Sequence, residues 1–122
     1  DGAGGAVEVL LVTSFRSRRW IIPKGDVDGR MTPQAAAEKE AIEEAGVRGR
    51  IGQQAIGSFC YDKERNGSTR EMLVDVYPLE VSEVLAEWDE MKDRERRWLP
   101  IAAAAAQVEQ PGLEAILRDF RP

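Results

Sequence analysis

The 122 residues contain no histidine and a single cysteine, Cys60. The first absence removes Ser–His and Cys–His nucleophilic schemes, His-ligated metals and imidazole general bases. Acid–base work then falls to Glu, Asp, Lys or Tyr. The lone cysteine excludes an internal disulfide and a cysteine-based zinc site, and makes a cytoplasmic location the default expectation. No apolar run approaches the roughly 18–20 residues of a membrane span, so no membrane partner is expected. The opening "DGAGGAVEVLLV" lacks a basic n-region and a cleavage pattern, so it does not read as a signal peptide. Starting without Met, it reads as a trimmed or partly disordered end. A net charge of −5 argues against a polymeric nucleic-acid partner, which usually needs a basic face.

What is present reads as one domain spanning residues 1–122, with enough length for a real core. "AVEVLLV" (6–12) is an apolar, β-branched run expected to form a buried strand, and "WII" a short second strand stopped by Pro23. "PKGDVDGRM" is aperiodic and reads as a loop. Thr32-Pro33 pairs an N-cap residue with a proline at the first helical position, predicting a helix that runs to Gly46. "VRGRIGQQAIGSFCY" suggests a strand with glycine irregularities, and "MLVDVYPLEV" another. Asn66-Gly67 between them is a hairpin-turn signal. "EVLAEWDEMKDRE" is a charged connection, "RRWLP" a strand and "IAAAAAQV" a helical filler. A last amphipathic helix follows Pro111-Gly112, with Leu113, Ile116, Leu117 and Phe120 on one face. This alternation predicts an α/β (α+β) domain with a mixed sheet between helices.

One stretch resists a purely structural account. In "EKEAIEEAGV" (38–47), Glu40, Glu43 and Glu44 stand at i, i+3 and i+4, on one helical face. Like charges at these spacings cost roughly 0.2–0.5 kcal/mol per pair, and the last helical turn favours cations over anions. A solvated charged face explains many such runs. A divalent cation held by carboxylate oxygens would instead turn both penalties into attraction.

The loop before the helix supports the second explanation. Gly25, Glu40, Glu43, Glu44, Gly46 and Val47 fall on the pattern G-x5-E-x7-R-E-U-x-E-E-x-G-U, where U is a bulky aliphatic residue. Six of its nine specified positions match. The chain thus resembles the Nudix hydrolases, and "VLLV", "RWIIPKG" and "RRWLP" in the flanks look like the same family. Three positions depart from the pattern: Met31 in place of Glu, Lys39 in place of Arg and Ala41 in place of a larger aliphatic residue. Lysine keeps the charge of arginine but loses its planar two-pronged geometry, which puts the bracing of Glu40 in question.

The resemblance implies the Nudix fold, Mg²⁺ (with Mn²⁺ as an alternative) and hydrolysis of a phosphoanhydride through a metal-activated water. By position, it implies Glu40, Glu43, Glu44 and the Gly25 carbonyl as metal ligands, with Glu40 or Glu44 as the general base. A later acid often contributes in this family, and Asp62, Glu64, Glu71 and Glu95 remain open for that role. Arg16, Arg18, Arg19, Lys24, Lys63, Arg65 and Arg70 are the candidate substrate-binding cations. Phe59 and Tyr61 could stack on a base, though strand packing explains them equally well; Trp20, Trp88 and Trp98 are assigned to structure.

The substrate classes implied are a nucleoside diphosphate linked to a moiety X, a dinucleoside polyphosphate and a diphosphoinositol polyphosphate. The surroundings of the pattern look most like the diphosphoinositol polyphosphate phosphohydrolases and the diadenosine polyphosphate hydrolases. The competing expectation is a catalytically weak Nudix domain that serves as a nucleotide-binding sensor or interaction module, as a monomer or homodimer.

Overall fold

The computed structural model describes residues 7–15, 17–24 and 30–122, with the side chain of Arg65 excepted. Gly25 and Arg16 therefore lie outside the described residues. Strand β1 (Glu8–Thr13) is flanked by β2 (Trp20–Ile21) on one edge and β7 (Arg96–Pro100) on the other. Helix α1 (Pro33–Glu40) continues into a π-helical turn (Ala41–Ala45), followed by β3 (Val47–Ile51). Strands β4 (Gly57–Arg65) and β5 (Ser68–Val76) form a hairpin, and β6 (Leu79–Val84) pairs with β3. Helices α2 (Ile101–Gln107) and α3 (Pro111–Asp119) complete the chain.

The continuous apolar run of β1 explains the layering. Side chains alternate across a strand, so neighbouring Leu11 and Val12, both fully buried, enter different cores. Leu11 packs with Phe59, Val76, Ala104, Ala105, Leu113 and Leu117, beneath α2 and α3. Val12 packs with Ile21, Ala41, Ala45 and Val47, beneath the π-helical turn. The strands are thus covered on both sides, as expected of an α/β arrangement. Each pairing between described strands is antiparallel, in four ladders grouped into three sheets, so the parallel component of a mixed sheet is not among them.

The alanine run has a packing role: Ala104 and Ala105 are completely buried within the α2–α3 core. Small side chains there let helix and sheet approach closely. In α3, Leu113 and Leu117 face the same core and Ile116 packs against its edge, while Phe120 falls one residue beyond the helix as its C-cap.

Two expected strands each divide. The segment 47–61 contributes β3 and β4 to different ladders, because the 52–56 connection lets the chain change partners. The segment 72–81 divides at Tyr77-Pro78, where proline has no N–H to continue a ladder. The Pro78 and Val76 carbonyls instead accept from Gly52 N at 2.8 Å and Ile56 N at 2.8 Å. The expected turn at Asn66-Gly67 closes the β4–β5 hairpin with both residues at positive φ, 54° and 79°. That left-handed pair matches the twist of the flanking strands.

Among the described residues, no helix is long and apolar enough to cross a membrane. Leu113 is completely enclosed, so Leu113→Ala leaves a cavity between α2, α3 and β1. We expect it to cost about 2–5 kcal/mol, read as a lower urea midpoint, whereas Leu73→Ala on the exposed face of β5 should leave the midpoint nearly unchanged.

Candidate active site

Thr32 opens α1 as the sequence predicts: its Oγ1 accepts from Ala35 N at 3.1 Å, and Pro33 follows at the first helical position. The far end differs from a simple α-helix. Gly46 N–H is directed to both the Ala41 and Ile42 carbonyls, and the last turn widens into a π-turn. Such turns occur frequently at functional sites. Gly46 then reverses the chain at φ 66°. It also lies against Trp88 and Arg96, where a Cβ would come within 2.9 Å of both side chains. Conformation and space therefore both call for glycine here.

The helix end sorts its charges into two i, i+4 pairs of opposite character. Lys39 Nζ lies 3.2 Å from Glu43 Oε2, so the lysine found in place of the pattern's arginine neutralises Glu43. Glu40 and Glu44 form the other pair, two carboxyls one helical turn apart whose like charges oppose each other. Glu44 is only 4% exposed, whereas Glu40 is half-buried. Burial pushes the Glu44 carboxyl up to about 8, reinforced by the neighbouring Glu40 carboxyl. Arg94 and the backbone N–H of Lys24, which reaches Glu44 Oε1 at 3.3 Å, pull the other way.

The connection from Leu85 to Arg96 does more than link strands. The Leu85 and Glu90 backbone N–H groups donate to the Gly46 and Glu43 carbonyls at 2.8 Å and 3.1 Å. Trp88 Nε1 donates to the Glu44 carbonyl at 3.0 Å. Arg96, stacked 3.9 Å over the Trp88 ring, donates to the Ala45 carbonyl at 2.9 Å. These bonds satisfy carbonyls that a helix end leaves without intrahelical partners. Arg94, from the same connection, brings its guanidinium to 3.6 Å from Glu44 Oε1.

The sequence-predicted basic residues separate into distinct groups. Arg18 has φ 56° and is engaged with the Asp93 carbonyl at 2.7 Å and Glu95 Oε2 at 3.0 Å. Arg19 pairs with Glu109 at 3.4 Å. Lys24 Nζ stands 4.0 Å from the centre of the Tyr61 ring, which draws β4 toward the carboxylates. Lys63 follows Tyr61 on the same face of β4, directly opposite Arg70 in β5, and Arg65 stands at the hairpin tip.

The four open acids do not gather at Glu44. Asp62 is opposite Glu71, and Glu64 opposite Thr69, on the exposed face of the hairpin away from Tyr61. Glu95 is paired with Arg18. The acid that does approach is Glu90, which holds Arg94 at 2.6 Å. Neither Glu90 nor Arg94 was singled out by the sequence, because the charged segment carrying them has no periodicity. Phe15 lies under Arg94 at 4.2 Å and borders a shallow cleft of ≈ 320 Å³ with Arg18, Lys92 and Asp93.

Among the described residues, no three acidic or cysteine side chains converge on one point to hold a metal. The Glu40–Glu44 pair nonetheless fits a hard divalent ion chemically: carboxylate oxygens one helical turn apart, one of them buried, are the donors such an ion takes. Glu43 is committed to Lys39, and the Gly25 carbonyl lies outside the described residues.

The family model for the NUDIX domain matches residues 1–120, and the chain belongs to that family. It is 33% identical over 118 residues to Arabidopsis thaliana "Nudix hydrolase 12, mitochondrial", covering 93% of this chain and 58% of that protein. It is 38% identical over 100 residues to the Bos taurus "Diphosphoinositol polyphosphate phosphohydrolase 3-beta", covering 80% of this chain and 57% of that protein. The chain thus spans less than two thirds of the length of these relatives. The C. elegans Ap4A hydrolase has the same fold, with a TM-score of 0.62 at 19% identity, over 95% of this chain and 85% of that one.

Glu44 generates a pH prediction. Its carboxyl titrates near 8 when folded against an ordinary 4.5, so the folded chain retains a proton that the unfolded chain releases between those values. The resulting penalty is absent below the lower value, grows as pH rises and is complete above the upper one. In a chelator, wild-type stability should therefore fall relative to Glu44→Gln between about pH 5 and 8. Thermal unfolding of both proteins across this range tests it; parallel midpoints would contradict the shift.

Proposed function

We propose that the chain is a divalent-metal-dependent pyrophosphohydrolase that cleaves a phosphoanhydride bond in a polyphosphorylated small molecule. The candidate substrates are a nucleoside diphosphate-X, a dinucleoside polyphosphate or a diphosphoinositol polyphosphate. The observation that carries this reading is the buried Glu44 carboxyl one turn from Glu40 at the end of a helix, in a chain of the Nudix family. The similarity to a Bos taurus diphosphoinositol polyphosphate phosphohydrolase supports it.

Glu40 and Glu44 would hold Mg²⁺ or Mn²⁺, with Glu43 and the Gly25 carbonyl as further donors. When bound, the ion would supply charge neutralisation at the phosphates and lower the pKa of water. The carboxylate of Glu40 or Glu44 takes the proton from the attacking water. Lys24, Lys63 and Arg70, with Arg65 at the hairpin tip, bind and orient the polyphosphate along the inner face of β4–β5. Arg18 and Arg19 extend the positive charge on the other side, and Arg16, outside the described residues, is a further candidate for binding the polyphosphate. We place the active protein in the cytoplasm on its cysteine use, with the mitochondrial name of the Arabidopsis relative as the competing location.

A panel of dinucleoside polyphosphates, inositol pyrophosphates and nucleoside triphosphates, assayed with Mg²⁺ or Mn²⁺, tests the reaction. Release of nucleotide or phosphate is expected, with a loss of about 10²–10⁴-fold in kcat for Glu44→Gln. Replacing Lys63 and Arg70 together by alanine should raise KM more than it lowers kcat. Ligand binding without hydrolysis or metal dependence would favour a nucleotide sensor, a reading to which the commitment of Glu43 to Lys39 lends some support.

A further inference from the structure

We propose that Arg94 is a positioning residue for the carboxylate site, holding Glu44 in the orientation that receives the divalent ion. This inference rests on the metal-dependent reading above. Arg94 is nearly buried, with 9% of its side chain exposed. Its guanidinium is held by partners other than Glu44. Nε donates to Glu90 Oε1 at 2.6 Å, and Nη1 donates to the Thr13 carbonyl at 2.9 Å at the end of β1. The Phe15 ring, 4.2 Å away, stacks against it. These contacts anchor the fork before Glu44 is considered.

Glu44 lies 3.6 Å from the remaining nitrogen, Nη2, too far for a hydrogen bond but within ion-pair range. It is therefore attracted by a fixed charge without being captured, and its Oε1 also accepts from Lys24 N. The same connection caps the backbone of the π-turn through Glu90, Trp88 and Arg96. Backbone and side chain of Glu44 are thus located by one segment. Lysine could supply the charge at position 94, but its three donors all leave one nitrogen, so Glu90, the Thr13 carbonyl and Glu44, which face three different nitrogens of the Arg94 fork, could not be engaged together.

The sign of the effect distinguishes positioning from simple electrostatics. A nearby cation repels a divalent ion, so on charge alone Arg94→Met would bind metal more tightly. Positioning predicts the reverse. Mn²⁺ affinity, measured calorimetrically without substrate, should weaken about 10–100-fold in Arg94→Met. In the same variant kcat should fall while KM stays close to wild type. Arg94→Lys should recover thermal stability without recovering Mn²⁺ affinity. Glu90→Gln, which loosens the anchor without touching Glu44, should weaken Mn²⁺ binding by a smaller factor, and it carries the test if Arg94→Met fails to fold.

Unchanged or tighter Mn²⁺ binding in folded Arg94→Met, or wild-type affinity in Glu90→Gln, overturns the proposal. So does a rise in KM at constant kcat, which would make Arg94 a substrate contact. Wild-type protein that binds Mn²⁺ but hydrolyses nothing in the panel overturns the hydrolase reading alone, because the Mn²⁺ affinities still decide the role of Arg94. Wild-type protein that binds no Mn²⁺ overturns both.

Discussion

The end of the glutamate helix must be capped, and the manner of its capping organises much of the molecule. A helix end leaves carbonyls without intrahelical partners, and each one buried unpaired would cost about 1–3 kcal/mol. Here the carbonyls of Glu43, Glu44, Ala45 and Gly46 accept from the connection between β6 and β7. That connection therefore closes over the π-turn in one arrangement. Its Trp88–Arg96 stack fills the space beside Gly46, where a larger residue would not fit.

The two cores give this cap something to press against. Because Leu11 and Val12 project from opposite faces of β1, the strand anchors the α2–α3 layer and the π-turn layer at once. Ala41 is an instructive departure from the family pattern. Its small side chain is buried against the Val12 core, bringing the helix backbone close to the sheet. Glu44 then falls inside the protein near the end of β1, where Arg94 also bonds the Thr13 carbonyl. The raised proton affinity of Glu44 follows from this closeness.

The departure at Lys39 also acquires a physical meaning. Three mutually repelling acids were the difficulty posed by the sequence. The structure separates them, with Lys39 taking Glu43 and leaving half-buried Glu40 beside the buried Glu44. A flexible ammonium suits an exposed i, i+4 contact, whereas the planar fork needed beside buried Glu44 comes from Arg94 in a distant part of the chain.

Local chemistry made several elements legible in the sequence. Thr32-Pro33 marks a helix start, Asn66-Gly67 a hairpin, Pro111 a final helix, and "RRWLP" a strand whose bounds match β7. The spacing from Gly25 to Val47 was equally readable, because a helix places nearby residues on predictable faces. The sequence by itself thus determined the family and the acidic face. Tertiary structure alone decided which acid is buried, that the last turn widens, and that Arg94, Glu90 and Trp88 converge on it. Those outcomes depend on contacts between segments some forty to eighty residues apart, held by burial and capping rather than by any local periodicity.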